Sequence, residues 1–353
     1  MKFYGFPYLV QKEILQQMKL PELIVSGQVS KNHKAYVRMF LKDRFKKIDT
    51  ICYHSKGPDT CNISTTNCRE RVDFLVMKPS LDDKTLEPKT RTSMFGMELE
   101  CSTTDPLTIF CTLGDGPTVL PTIHDQIYDF FGDSVAYEVR MAEGEYIPQL
   151  HHITSSILKL TSLINLREYS ENLPPQNFLS LYNASNFRLA VPHFPNTEVL
   201  HIRGFRDRDE TLNQFNGREL VIKLGDLTQY RVMKCLKRWI SGEGYKNLEF
   251  LNIDFPHNRN HFFEEFDIRE FEADFDPPVH PSWNKESSPI FQEIVTFKPR
   301  NFTSRNYIVR ESDGHVAYIY VTNHGVILAV WNLTLDQLRE YKPQPSNNIK
   351  YHL

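Results

Sequence analysis

Cysteine is scarce in this chain. There are six in 353 residues, at positions 52, 61, 68, 101, 111 and 235, and none forms a Cys-x-x-Cys pair. That excludes a thioredoxin-like redox motif and the closely spaced ligands of small zinc modules. It suits a reducing compartment better than a disulfide scaffold. Long apolar runs are missing too: no stretch approaches the ~18 apolar residues that a membrane span requires. The start, Met1-Lys2-Phe3-Tyr4-Gly5, lacks the apolar core and small-residue cleavage site of a secretion signal. The expected setting is intracellular, cytoplasmic or nuclear, with no membrane partner. Nor is there a basic excess. Lys and Arg number 41 against 44 Asp and Glu, for a net charge of −3, so no nucleic-acid partner is expected. The local run Lys31, Lys34, Arg38, Lys42, Arg44, Lys46 and Lys47 reads as a solvated helix face.

Catalytic signatures are likewise missing. The chain has no phosphate-binding loop, no zinc-protease helix and no nucleophile elbow. Gly242-x-Gly244 follows a helical pattern instead of a strand. Cys52, His54, Cys61 and Cys68 could supply four zinc ligands to a metal-dependent hydrolase, but their spacing is loose. The reading adopted is a non-catalytic protein with no cofactor and no metal.

What the chain does have is an apolar N-terminus. Between Phe6 and Leu41, 18 of 36 residues are apolar, against 40% overall. A segment this short cannot bury that much apolar surface against itself. Leu9, Val10, Ile14, Leu15 and Met18 fall near helical spacing on one face, with Gln11, Lys12, Gln16 and Gln17 opposite. Pro7 and Pro21 suit first-turn positions of two helices. Gly27 predicts a short or bent second helix, because glycine weakens a helix by roughly 1 kcal/mol relative to alanine. Ser30 is a good N-cap for a third helix carrying Tyr36, Val37, Phe40 and Leu41. One alternative is a helical cap packed on the chain's own core.

The run Phe6-Pro7-Tyr8-Leu9-Val10-x-Lys12-Glu13-Ile14-Leu15, then Pro21-Glu22-Leu23 and Val29-Ser30-Lys31, resembles the F-box. That resemblance implies docking onto a Skp-family adaptor and, through it, a cullin–RING ubiquitin ligase. It implies that Pro7, Leu9, Ile14, Leu15, Leu23, Val29 and Ser30 contact or shape the adaptor interface. Lys31, Tyr36 and Val37 would belong to the third helix behind it.

Beyond residue 48 the pattern turns to strands. Val72 to Met77 and Leu107 to Leu113 are strand-like, the latter closed by Gly114-Asp115-Gly116-Pro117. Residues 79 to 93 read as a polar loop, and Ile123 to Phe131 as a short helix. His152 to Leu163 places Ile153, Ile157, Leu158 and Leu160 on a helical pitch. Short alternations follow at Phe187-x-Leu189-x-Val191, Val199 to Ile202, Leu220-x-Ile222-x-Leu224 and Leu248 to Ile253. The last three recur at roughly 22 and 29 residues, near the period of a leucine-rich-repeat unit. They support stacked strand–helix units more than a regular solenoid. Between them, Thr228 to Ser241 predicts a helix with Val232, Met233, Leu236, Trp239 and Ile240 on one face and Gly242 closing it. Residues 262 to 276 alternate phenylalanines with seven carboxylates, read as an acidic solvent face over an aromatic core face. Exposed, those carboxylates could attract a basic segment. A hairpin across Asp313-Gly314, a strand to Trp331 and a helix capped by Thr334 with Gln337 end the pattern.

The helix ending Trp239-Ile240-x-Gly242, followed by Asn247-Leu248-Glu249-Phe250-Leu251-x-Ile253, resembles the type 2 F-box-associated domain. Arg310 to Gly314 and Val330-Trp331 resemble that family's usual ending. The resemblance implies a target-facing α/β domain. The expected fold is therefore α+β or α/β. A three-helix F-box-like module (1–46) leads into a strand-rich connection (47–145). A domain of stacked, leucine-rich-repeat-like strand–helix units with a C-terminal meander (146–342) and a tail (343–353) follow. The expected role is the substrate-recognition subunit of a Skp–cullin–F-box ubiquitin ligase, binding an unknown protein target. A plain interaction module with a degenerate F-box is the alternative.

Overall fold

The computed structural model describes residues 3–67, 71–80, 89–102, 106–144, 146–160, 166–183, 194, 196–205, 209–223, 227–255, 264–280, 303–322 and 324–341. The fold is mixed α/β, with helices leading at the N-terminus and antiparallel strands near the C-terminus. Two compact units divide it, 1–187 and 188–353. Among the described residues, no helix is long and apolar enough to cross a membrane.

The first unit opens with a 3-10 turn (Phe3–Gly5) and helices α1 (Tyr8–Gln17), α2 (Leu20–Gly27), α3 (Lys31–Phe40) and α4 (Lys42–Phe45). Its strands are β1 (Thr50–Gly57), β2 (Thr60–Thr66), β3 (Arg71–Pro79), β4 (Thr90–Met94), β5 (Met97–Ser102), β6 (Leu107–Cys111), β7 (Ala136–Gly144), β8 (Ser155–Leu160) and β9 (Gln176–Asn183). Helices α5 (Gly116–Phe131) and α6 (Leu166–Asn172) interrupt them. The strand order is β9-β8-β7-β1-β2-β3-β6-β5-β4. β1 lies parallel to β7, as do β7 to β8 and β8 to β9, while β1-β2-β3 run antiparallel.

The expected strand at 72–77 lies within β3, and the one expected at 107–113 is β6, which ends two residues earlier at Cys111. The helix expected from Ile123 starts earlier, at Gly116, and carries Pro121 inside it. Pro117 in the first turn costs no hydrogen bond, so the Gly-Pro cluster opens the helix. Asp59 holds that opening: its buried carboxylate accepts the backbone N–H of Gly114 and of Gly116 at 3.0 and 2.8 Å. The helix expected over 152–163 is instead the strand β8. β8 lies between β7 and β9, and Ser156, Ile157 and Leu158 are buried in succession, which removes the alternation that marks a half-buried strand.

α5 packs on the sheet through His124, fully buried. Its Nε2 donates to the carbonyl of His151 at 2.6 Å, and its Nδ1 accepts the Tyr53 hydroxyl at 2.8 Å. Burial holds the imidazole pKa down at about 4. Burial and nearby Arg71 and Arg140 hold His54 at about 3. Both folded values lie below the unfolded one near 6.5, so the native state resists protonation that the unfolded chain accepts. Stability is then full above pH 6.5 and falls as pH drops toward 4. For His124 alone the loss approaches roughly 3 kcal/mol. Urea midpoints measured between pH 7.5 and 4 should fall steeply for wild type and less steeply for His124→Gln. Parallel slopes would remove His124 from the account.

In the second unit, β10 (Thr197–Arg203), β11 (Glu219–Lys223) and β12 (Phe250–Asp254) run parallel, with α7 (Asp209–Gln214) and α8 (Gln229–Ser241) in the two crossovers. β13 (Arg269–Glu270), β14 (Asn306–Val309), β15 (His315–Val321) and β16 (Gly325–Thr334) are antiparallel, and α9 (Leu335–Glu340) follows. The order is β13-β14-β15-β16-β12-β11-β10. α8 buries Val232, Cys235, Leu236 and Trp239 and stops at Gly242, which takes φ +78°. Thr334 and Gln337 form the expected capping box. The alternation at 187–191 lies outside the described residues. In the acidic run the expected division holds: Phe266 and Phe271 are buried, and the described carboxylates from Glu264 to Asp276 are exposed. Four of them pair with Lys237, Arg269, Arg305 and Arg339. Phe262 and Phe263 lie outside the described residues.

Candidate docking face on the N-terminal helices

α1 turns its apolar residues outward. Leu9, Val10 and Ile14 are exposed, whereas Leu15 and Gln11 are buried. Gln11 was expected on the solvent face. It goes inside because its carboxamide is satisfied there, donating to the carbonyl of Phe6 and accepting the Tyr36 hydroxyl. α2 begins with a charge-assisted cap, Lys19 N–H to Glu22 Oε2 at 2.7 Å, and buries Leu23, Ile24 and Gly27. Ser30 caps α3 by accepting the His33 N–H at 3.1 Å, and Val37 is its innermost residue.

Of the expected adaptor residues, Pro7, Leu9, Ile14, Val29 and Ser30 lie at the surface. Leu15 and Leu23 are 1% and 0% exposed, so they shape the face from beneath without being available to a partner. Lys31, Tyr36 and Val37 are on α3, as expected. A groove of about 690 Å³ opens on this side, lined by residues that include Phe3, Tyr4, Ile14, Val29 and His33, with the edge of Leu15 at its floor. The Tyr4 hydroxyl lies 2.8 Å from His33 Nδ1, and burial lowers the pKa of that imidazole.

The distribution of exposed apolar side chains is uneven. Eleven large ones are exposed among the described residues; Tyr4, Tyr8, Leu9, Val10, Ile14, Val29 and Met39 are seven of them. All seven fall in the first forty residues. Grouped exposure of this kind makes these helices the candidate docking face, whereas scattered single residues carry no such signal.

The same helices are anchored from behind. A Cβ on Gly27 would lie 2.8 Å from Cε2 of Phe130, so glycine allows α2 to approach α5 closely. Phe45 meets Phe130 and Phe131 edge-on at 5.4 and 5.3 Å, and Lys34 pairs with Asp129. The β4–β5 turn adds another tie. Phe95 and Gly96 both take positive φ, +56° and +73°, the geometry of a two-residue hairpin turn. Phe95 is buried, and its N–H donates to Gln28 Oε1 at 2.7 Å. The helices therefore pack on the unit's own core with one side and leave the other open. Sequence reasoning missed Phe95 and Gln28, since Phe-Gly is a weak turn signal and the contact spans 67 residues.

Gly27→Ala improves local helix propensity, yet it is expected to destabilise by ~1–3 kcal/mol through overpacking against Phe130. A thermal midpoint at or above wild type would show that the ring moves aside freely.

The zinc reading of the 52–68 cluster meets a geometric obstacle. Cys52 lies opposite Ser64, and Cys61 opposite Ser55, so the two thiols project from opposite sides of the sheet. Burial, with Glu138 nearby, pushes the Cys52 thiol up to about 11. Cys68 lies outside the described residues. Among the described residues no group of His, Cys, Asp and Glu side chains is placed to hold a metal ion. Comparison with family models, with curated proteins and with solved structures found no match.

Proposed function

We propose that this chain is the substrate-recognition subunit of a Skp–cullin–F-box ubiquitin ligase. The observation that carries this reading is the exposed apolar face on α1 and the α2–α3 link, set on helices braced from behind. An adaptor would cover Leu9, Ile14 and Val29 and take them out of water. The repeated order β10–α7–β11–α8–β12, with sequence neighbours lying parallel, supports leucine-rich-repeat-like units of an F-box-associated domain. The chain's contribution to catalysis would be positional. It would hold a target's lysines near a ubiquitin-loaded carrier, converting a bimolecular encounter into an effectively intramolecular one.

Copurification of the full chain with a Skp-family adaptor tests the proposal. Formation of a one-to-one complex is expected. A folded chain that leaves the adaptor in the flow-through would favour a plain interaction module with an F-box-like cap.

A further inference from the structure

The sheet of the first unit ends at β4, and among the described residues no strand lies beyond it. Its inner neighbour is β5, in register from Thr90 opposite Cys101 to Met94 opposite Met97. Met94 and Met97 flank the two-residue turn Phe95-Gly96, so they exchange main-chain hydrogen bonds with each other. Alternation then turns the N–H and C=O of Thr90, Thr92 and Met94 toward β5. Those of Arg91 and Ser93 turn outward, and no described group bonds to them. Unpaired main-chain groups of this kind are a template for another strand. Donor and acceptor alternate along the edge, which an extended peptide matches and an anion or a helix does not.

Edges that stay single are usually blunted by proline, lysine, a bulge or a covering element. β4 reads Thr90-Arg91-Thr92-Ser93-Met94, with neither proline nor lysine, and its register with β5 has no shift. Lys89, just before it, turns back over the Phe110 ring, 4.7 Å from the ring centroid. Thr90, Arg91 and Ser93 are exposed. Arg91 carries the strand's one charge. Its side chain is 84% exposed and reaches Glu100 at 3.3 Å.

We infer that β4 pairs with β4 of a second copy of this chain, antiparallel about a two-fold axis at Thr92. The outward groups set the register. Arg91 of each copy comes opposite Ser93 of the other, and these two pairs exchange main-chain hydrogen bonds. Thr92 faces Thr92 of the second copy, a favourable cross-strand pair. Ser93 in turn lies beside Glu98 of β5. Arg91 of one copy therefore projects from the same side of the joined sheet as Glu98 of the other, two strand spacings or about 10 Å away between backbones. The serine between them is small, and Glu98 is exposed. A charge left unmatched beside an arbitrary strand finds an acid beside this one, which favours a second copy over a foreign segment. The contact is short, below the size of a standard interface, so the dimer is reversible and concentration-dependent. Nothing in it rests on the receptor proposal.

The test is sedimentation velocity of the full chain over a range of concentrations, where a dimer in equilibrium with monomer is expected. Ser93→Pro should weaken dimerisation at least tenfold with an unchanged circular dichroism spectrum, because an edge tolerates proline where the N–H faces solvent. Arg91→Glu should weaken it too, and Arg91→Glu with Glu98→Arg should restore it. Thr92→Cys should give a disulfide-linked dimer on air oxidation, since a pair of this type brings the α-carbons to about 4.5 Å. Thr90→Cys, opposite Met94, should not. Three results would overturn the inference. One is a wild type that is monomeric at every concentration, which would leave the edge to a foreign strand. Another is a dimer undiminished in folded Ser93→Pro, above all one lost in Leu9→Asp with Val29→Asp, which would place the contact on the N-terminal helices. The third is no cross-link through Thr92→Cys. A dimer that captures no adaptor would leave this inference standing and remove the ligase proposal.

Discussion

Leu9→Asp combined with Val29→Asp is expected to weaken capture of a Skp-family adaptor at least ~100-fold, about 2.7 kcal/mol, without unfolding the chain. The two side chains are 74% and 80% exposed. Neither contributes to the core, so a charge at either position costs the free protein little. In a complex the same carboxylates would be desolvated opposite an apolar partner, where no counter-charge is provided. Interface energy concentrates in a few apolar anchors, and the most exposed residues of an apolar face are the natural candidates. Leu15→Asp would be a poor control. That residue is buried, and a carboxylate there would disrupt the packing of α1 whatever the partner. Calorimetric titration with adaptor, alongside circular dichroism of each variant, separates the two effects. Undiminished affinity in the folded double variant would move the adaptor contact elsewhere or remove it.

Asp313→Ala is expected to cost the second unit ~3 kcal/mol, and Arg310→Met distinctly less. Arg310 is 5% exposed at its side chain, lies over the Trp239 ring and donates to both carboxylate oxygens of Asp313, at 2.9 and 2.6 Å. The pair ties the β14–β15 hairpin to α8. Removing the acid leaves a buried guanidinium charge without its counter-ion, with only His315 Nδ1 and the Lys246 carbonyl beside it, the costlier way to break such a pair. Replacing the arginine by an apolar chain of similar length keeps the contact with Trp239. Asp313 is partly in water and can rehydrate, which places the estimate at the low end for a buried pair. The Arg310 hydrogen bond holds the Asp313 carboxyl below the usual carboxylate range. Its contribution is therefore present above the unfolded pKa and is lost as pH falls through the folded one. Urea denaturation of the two variants at neutral pH checks the ranking. A larger loss in Arg310→Met would show that the contact with tryptophan outweighs the charge pair.

The sequence by itself determined the features that depend on a few neighbouring residues. Thr334 and Gln337 cap α9, Gly242 ends α8 in the left-handed conformation, and Asp313-Gly314 turns the hairpin. These are short-range rules, satisfied by backbone groups within a turn of the residue concerned. The helical nature of residues 8–40 and the apolar excess there were also legible from spacing alone. Tertiary structure decided the rest, because each point depended on a distant partner. β8 is a strand because it lies between two others, although its apolar residues fit a helical pitch. Gln11 is buried and Leu9 is not, because Phe6 and Tyr36 satisfy the amide. Gly27 is a close-packing residue because Phe130 occupies the space its side chain would need. Which residues share a side of the first sheet follows from strand register and from where α5 lies, and cannot be read from the order of residues along one strand.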